Sequence, residues 1–416
     1  MPEAASSALI TDDAAILGLL AVTLGAVFWT ASRESGFWSR FYNYVPALLM
    51  CYLVPAIYNS IGLIDGGASN LYPMARDYLL PASLVLFCIA MDIGAILRLG
   101  PKAVIMFLTG TVGVMLGAVV AFVAMGVIHP STVAGETWRG MTTIAGSWIG
   151  GGANQAAMKE VFAVDANLFG QFVAVDVIVA YFWMAILLYL APRAKAFDRW
   201  TGADTSAIED LKQRIADYQA EHARIPSMSD LMMIFAVGIG LTGLAHLLTG
   251  PLVAWIQSLP ASWRLQDYSL DSRFFWLVVL TTTFGVILSF TRARRLEGAG
   301  ASNVGSVFLY VLIATIGMQM DLKTLADRPM LLLLGVIWIS VHAALMLGMA
   351  KLIRAPLFFM AVGSQANIGG AASAPVVASA FHPSLAPVGV LLAVMGYALG
   401  TYCAYITGLL LQVMAG

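Results

Sequence analysis

Charge is what this chain has least of. Asp, Glu, Lys and Arg make up 11% of its 416 residues, against about 25% in a soluble domain. Hydrophobic residues reach 60%, and the mean hydropathy is +0.84. With repeated apolar runs of about 20 residues, that shortfall excludes a soluble enzyme and indicates a polytopic membrane protein. A net charge of −1 offers nothing for nucleic acid to bind. Cysteine is nearly missing. Cys51, Cys88 and Cys403 stand far apart in apolar runs, without metal-ligand spacing, and read as small buried side chains. No Walker A sequence occurs, which argues against direct ATP-driven transport. No Ser-His-Asp, Cys-His or HExxH arrangement occurs, so neither an enzyme nor a cofactor is expected. Residues Met1 to Asp13 carry Glu3, Asp12 and Asp13 but no Lys or Arg. Without a basic n-region they do not read as a signal peptide, and the first apolar run reads as a true span.

What is present is a series of ten apolar runs. They fall at Ala14–Ala31, Tyr42–Ile64, Tyr78–Leu97, Val104–Ile128 and Leu168–Leu190, then at Met228–Leu248, Phe274–Phe290, Val304–Met320, Met330–Ile353 and Leu385–Met414. Two stretches interrupt them, Met141–Val161 and Leu357–Ala380, just before the fifth and tenth runs. Each is long enough to enter a bilayer but broken by glycine, and each reads as a re-entrant helical hairpin.

Loop charges give the orientation. Arg33 and Arg40, Arg98 and Lys102, the central group Arg193, Lys195, Arg199, Lys212, Arg214 and Arg224, then Arg292, Arg294 and Arg295, and Lys351 with Arg354, all fall on one side if each run crosses once. That side is the cytoplasm, and both termini lie outside an inner (plasma) membrane. Arg264, Lys323 and Arg328 are exceptions. Five runs then precede the central loop and five follow it, in opposite senses. The expected architecture is all-α: residues 1–190 and 228–416 as two inverted five-helix repeats, joined by a loop over 191–227. Met91-Asp92 and Met320-Asp321 occupy matching places, and Gly-Ser opens both hairpins. In the loop, Ser206 and Glu209 form a capping box ahead of Ile208, Leu211, Ile215 and Tyr218, which predicts a short amphipathic helix lying on the membrane or on the protein itself.

The hairpins carry the chemistry. A half-helix tip exposes N–H groups at one end and carbonyls at the other. Ser147, Asn154 and Gln155 are the polar side chains of the first stretch; Ser364, Gln365, Asn367 and Ser373 are those of the second. They are candidates to hold a small polar solute, with Na⁺ as a possible ion at the tips. Glycine alone would be explained by close helix packing, but Asn and Gln in lipid are costly unless paired. For ion coupling the candidates are Asp176 in the fifth run, Asp92 near the end of the third, and the tip glycines Gly151 and Gly369. Asp321 reads as solvated, and Lys159 with Glu160 as an interfacial pair or a gate. His246, His342 and His382 are scattered, without metal-ligand spacing. The last run carries no Arg or Lys, which argues against a highly charged anionic solute.

Gly146-Ser147-Trp148-Ile149-Gly150-Gly151-Gly152-Ala153-Asn154 is one of two signature stretches. The other is Ser364-Gln365-Ala366-Asn367-Ile368-Gly369-Gly370-Ala371-Ala372-Ser373-Ala374-Pro375. With Leu385-Ala386-Pro387-Val388-Gly389-Val390 and Gly396-Tyr397-Ala398-Leu399-Gly400-Thr401, they resemble the YjcL-type bacterial integral membrane proteins, a domain of unknown function. In layout the chain is similar, more remotely, to sodium/glutamate and sodium/citrate symporters. That resemblance implies an elevator mechanism with a mobile domain carrying both hairpins, a homodimer formed through a fixed scaffold, and coupling to Na⁺ or H⁺. The scaffold is expected to be the first two spans of each half. The function expected is secondary active transport of a neutral, zwitterionic or singly charged solute such as an amino acid, small peptide or monocarboxylate. The rivals are a proton/cation antiporter with no organic substrate, and a scaffold or sensor in which the hairpins only pack.

Overall fold

The computed structural model describes residues 8–42, 45–204, 225–260, 263, 265, 270–320, 328–382 and 385–416. The amphipathic helix expected near Ser206 to Tyr218, together with Asp321, Lys323 and Arg264, lies outside them. Among the described residues the regular structure is helical, apart from one isolated bridge between Ile10 and Ile64.

The first half holds α1 (Asp13–Ala31), α2 (Ala47–Ser60), α3 (Leu80–Ile89), α4 (Pro101–Ile128), α5 (Thr137–Gly150), α6 (Gly152–Val161) and α7 (Ala166–Leu190). The second holds α8 (Met228–Gln257), α9 (Arg273–Ser289), α10 (Ala301–Gly317), α11 (Met330–Leu352), α12 (Leu357–Ile368), α13 (Gly370–Phe381) and α14 (Ala386–Ala415). Among the described residues, six helices are long and apolar enough to cross a membrane, or eight if each of two bent pairs counts as one span. The protein is therefore a multi-pass membrane protein, with fewer straight spans than the ten runs predict.

The shortfall has local causes. The run Tyr78–Leu97 breaks because Asp92 accepts the Ala95 N–H at 2.9 Å and so caps a new short helix, Ile93–Arg98. A π-helical turn at Ala75–Leu79 precedes α3. Helix α9 stops at Ser289 and turns by 96° into a 3-10 segment, Arg292–Ala299, where three arginines end the apolar run. Helices α9 and α10 have 17 residues each, about 26 Å of rise against a hydrocarbon core of about 30 Å.

The helices fall into two groups. In one, α3 lies against α8, α9 and α10, and α10 lies against α1 and α2. All ten residues of α3 are buried, so it is the centre of this group. The third span of each half thus belongs with the first two, not with the hairpins as the sequence reading has it. In the other group α4 packs along α11, α12 lies on α4, and α14 runs along α5 and α13.

Both Gly-rich stretches are helical hairpins. In the first, a Cβ on Gly146 would stand 2.6 Å from the Asn154 carbonyl oxygen. Trp138 at its start and Phe162 just past its end have ring centroids 5.8 Å apart. In the second, Gln365 Nε2 donates to Ser373 Oγ at 2.7 Å, and Phe358 meets Phe381 at 5.5 Å. Residues eight apart touch only if the chain doubles back. Gly151 makes the first break with φ +78°, and Gly370 the second with φ +57°, both in the region that glycine alone enters freely.

The hairpin bases sit at opposite ends of α11. Arg328, just before α11, donates to Thr137 Oγ1 at the start of α5, 3.1 Å away. Beyond the other end of α11, the Leu357 N–H that opens α12 donates to Asp198 Oδ1 at 2.7 Å, and Lys102 Nζ at the start of α4 donates to the Arg354 carbonyl at 2.8 Å. The tips meet between: a Cβ on Gly370 would lie 3.8 Å from Gly151 Cα.

Candidate functional site

Helix α7 is started by Asp165, which accepts the Asn167 and Leu168 N–H groups at 2.9 and 3.3 Å. About three turns later that register puts Asp176 inside the protein, 5% exposed. The first hairpin surrounds its carboxylate with donors. Trp148 Nε1 donates to Oδ1 at 2.6 Å, while Ser147 Oγ and Gln155 Nε2 donate to Oδ2 at 2.7 and 2.8 Å. Ser147 and Trp148 come from α5 and Gln155 from α6, so the carboxylate ties the two limbs together. An isolated carboxylate in this interior would cost several kcal/mol; hydrogen bonds to a charged group, each about 1.5–3 kcal/mol, offset that.

The second hairpin has a related node. Ser364 Oγ lies 2.8 Å from Trp183 Nε1 of α7 and 2.8 Å from His342 Nε2 of α11. His342 Nδ1 lies 3.1 Å from the Gly110 carbonyl of α4. Trp148 of the first node also meets Trp338 of α11, one turn before His342, at 5.2 Å between centroids.

The two asparagines act as struts. Asn154 donates to the carbonyls of Gly150 and Tyr397 and accepts from Thr401 Oγ1 at 2.7 Å. Asn367 donates to the carbonyls of Gly363 and Phe107 and accepts from Thr111 Oγ1 at 2.8 Å. In each amide one N–H bond stays within the hairpin, while the other N–H bond and the oxygen fasten the hairpin to α14 or α4. Gln365 differs. Its nitrogen reaches Ser373, but its buried Oε1 has no hydrogen-bond partner among the described residues. Gly369 is the point where a Cβ would collide with Ser373 Oγ. Gly151 is the first tip itself.

The structure therefore gathers Ser147, Gln155 and Asp176 at one point, Gln365, Ser373 and Gly369 at another, and spends Asn154 and Asn367 on packing. Asp92 does not join them. It caps Ile93–Arg98 and accepts Arg294 Nη1 at 3.0 Å. Lys159 and Glu160 pair at 2.7 Å where α6 ends, and Tyr72 hydrogen-bonds both. Sequence reasoning missed Trp148, Trp183 and His342 as members of the nodes. The available signal was a lone histidine in the middle of a 23-residue apolar helix.

Residues 18–414 match the family described as "Protein of unknown function (DUF819)". The chain belongs to that family. Over 362 residues this DUF819 member is 25% identical to the uncharacterized membrane protein YjcL of Bacillus subtilis (strain 168), a match covering 85% of this chain and 86% of YjcL. The DUF819 match takes in both hairpins, Asp176 and His342. The resemblance read from the hairpin motifs is thus to the family the chain belongs to.

Proposed function

We propose that this DUF819 protein is a secondary active transporter of a small neutral, zwitterionic or singly charged organic solute, coupled to Na⁺ or H⁺. The observation that carries the reading is Asp176, a carboxylate buried in a spanning helix and bonded three times by a glycine-broken hairpin. An ionisable group in that setting is a functional-site hypothesis by default, and ion coupling is the role we assign to it. Two tips that meet from opposite ends of α11 are what two inverted five-span repeats would produce. On this reading the hairpin-bearing helices move as an elevator against the group centred on α3, the basic ends face the cytoplasm of the inner membrane, and both termini lie outside. A homodimer would form through the fixed group. Helix α8, with seven of its 30 residues buried, has the face to spare.

A thermal-shift screen of the purified full chain tests this, using amino acids, small peptides, monocarboxylates and sugars with and without Na⁺. A ligand at 100 times its Kd stabilises the folded state by about 2.7 kcal/mol. Asp176→Asn should abolish ion-driven uptake of any hit in proteoliposomes with the fold retained. Full uptake in that variant sinks the assignment. The second reading, a proton/cation antiporter without an organic substrate, is favoured by the orphan acceptor Gln365 Oε1. It expects stabilisation by a monovalent cation alone.

A further inference from the structure

We propose that His342 is a proton-binding site, working through Ser364 and Trp183 of the second hairpin's node. The inference rests on the transporter reading and selects H⁺ as a coupling ion.

The hydrogen bonds fix the direction of every donor. The Gly110 carbonyl can only accept, so the hydrogen sits on His342 Nδ1. In the neutral ring Nε2 then accepts from the Ser364 hydroxyl, and Ser364 Oγ accepts from Trp183 Nε1–H. The result is a one-way chain from Trp183 through Ser364 and His342 to Gly110. Added protonation reverses the roles at one bond. Nε2 becomes a donor to Ser364, and the serine hydroxyl turns to a carbonyl one turn back on its own helix, a common partner for helical serine. The bond between His342 and the hairpin thereby reverses its polarity.

A purely structural histidine would satisfy the same distances, but three further observations favour a proton site. The pocket is cut for the ring: Cβ atoms on Gly110 and Gly113 would stand 3.4 Å from His342 Cε1 and 3.1 Å from Nδ1. The design is used twice, because Ser364 and Ser147 follow Gly363 and Gly146 in matching motifs, each joins a buried titratable group of a spanning helix, and each node includes an indole N–H. Finally, Asp176 and Trp183 are seven residues apart on α7, so the carboxylate node lies about 10 Å along the helix from the imidazole node.

The neighbouring charges are few. From α7 the titratable groups are Asp176, Tyr181 and Tyr189; α4 offers Lys102 at its far start; α12 offers none. The segment after α7 brings Arg193, Lys195, Asp198 and Arg199, and α11 itself ends with Lys351. The first hairpin adds Arg139 near the start of α5 and Lys159 near the end of α6, the latter paired with Glu160. Beside the second hairpin's node itself, His342 is the group able to become positive, so that node can change its charge by one proton without a fixed Lys or Arg.

The test is ring ¹⁵N magic-angle-spinning NMR of the full chain, labelled at histidine and reconstituted in liposomes, titrated over the pH range in which it stays folded. His342→Gln identifies the signal by its loss. Should that variant not fold, a chain with His129, His222, His246 and His382 changed to Gln leaves His342 as the sole signal. The expected result is a neutral ring protonated at Nδ1 in base, converting reversibly to imidazolium on acidification. A neutral signal that persists down to acid unfolding overturns the proposal, as does a ring protonated at Nε2 in base. The titration needs no solute. A silent His342 in a chain that transports its solute removes this inference alone, whereas a titrating His342 in a chain without ligand or transport removes only the transporter reading.

Discussion

At the scale of residues, the three donors on Asp176 are not equivalent. Ser147 and Gln155 share Oδ2, while Trp148 alone holds Oδ1. Trp148→Phe keeps most of the ring and removes the N–H, leaving a buried carboxylate oxygen without its donor. Losing one such bond costs about 1–3 kcal/mol, so the melting temperature of the purified chain should fall. Ser147→Ala should fall less, since Gln155 still reaches the same oxygen; a larger loss in Ser147→Ala than in Trp148→Phe would contradict this geometry. The asparagines follow a different rule. Thr401→Val leaves Asn154 Oδ1 with no donor, and Thr111→Val does the same to Asn367. Each should destabilise by about 1–3 kcal/mol. The two should add, because the struts share no partner.

At the scale of elements, the seam between α14 and the first hairpin is set by small residues. A Cβ on Gly400 would stand 2.6 Å from Gly150 Cα and 2.7 Å from Asn154 Nδ2. Gly396 and Gly400 are four apart and face the same helix, the small-xxx-small pattern of membrane packing. Gly400→Ala is expected to cost about 1–3 kcal/mol by overpacking, seen as a drop in melting temperature. Gly240→Ala, where a Cβ would meet nothing within 4 Å, should change stability little. Both hairpins were legible in the sequence because glycine and amides in an apolar chain have few other uses; the second starts at Leu357 in both readings and ends at Phe381, one residue past the expected boundary. The straight spans were legible for the same reason: length and apolarity. The breaks at Asp92 and Arg292 were not. Hydropathy averages over a carboxylate that caps a helix, and only the Ala95 N–H bond reveals it. The nodes were less legible still. Trp183 and Ser364 stand 181 residues apart, and no spacing rule joins residues so distant.

At the scale of the whole molecule, the two helix groups meet at an aromatic stack. Phe87 of α3 lies on Tyr397 of α14, with centroids 4.4 Å apart and planes within 12°. If the groups slide, this contact must break in every cycle. With Cys51, Cys88 and Cys403 replaced by serine, cysteines at Phe87 and Tyr397 bridged by Hg²⁺ should stop uptake reversibly. A bridge between positions Phe162 and Gly408, both in the hairpin group and already touching, should not. Uptake that survives the first bridge would exclude sliding. The strut at Asn154 also bears on how the chain is made. Its partners Tyr397 and Thr401 belong to the last helix, and Asn154 and Thr401 are 247 residues apart. At about 5–20 residues per second, the first tip waits roughly 12–50 s in the bilayer with a bare amide before the ribosome delivers its cover. A nascent chain halted before α14 therefore presents a polar tip within lipid, a mark by which membrane quality control could tell an unfinished copy from a complete one.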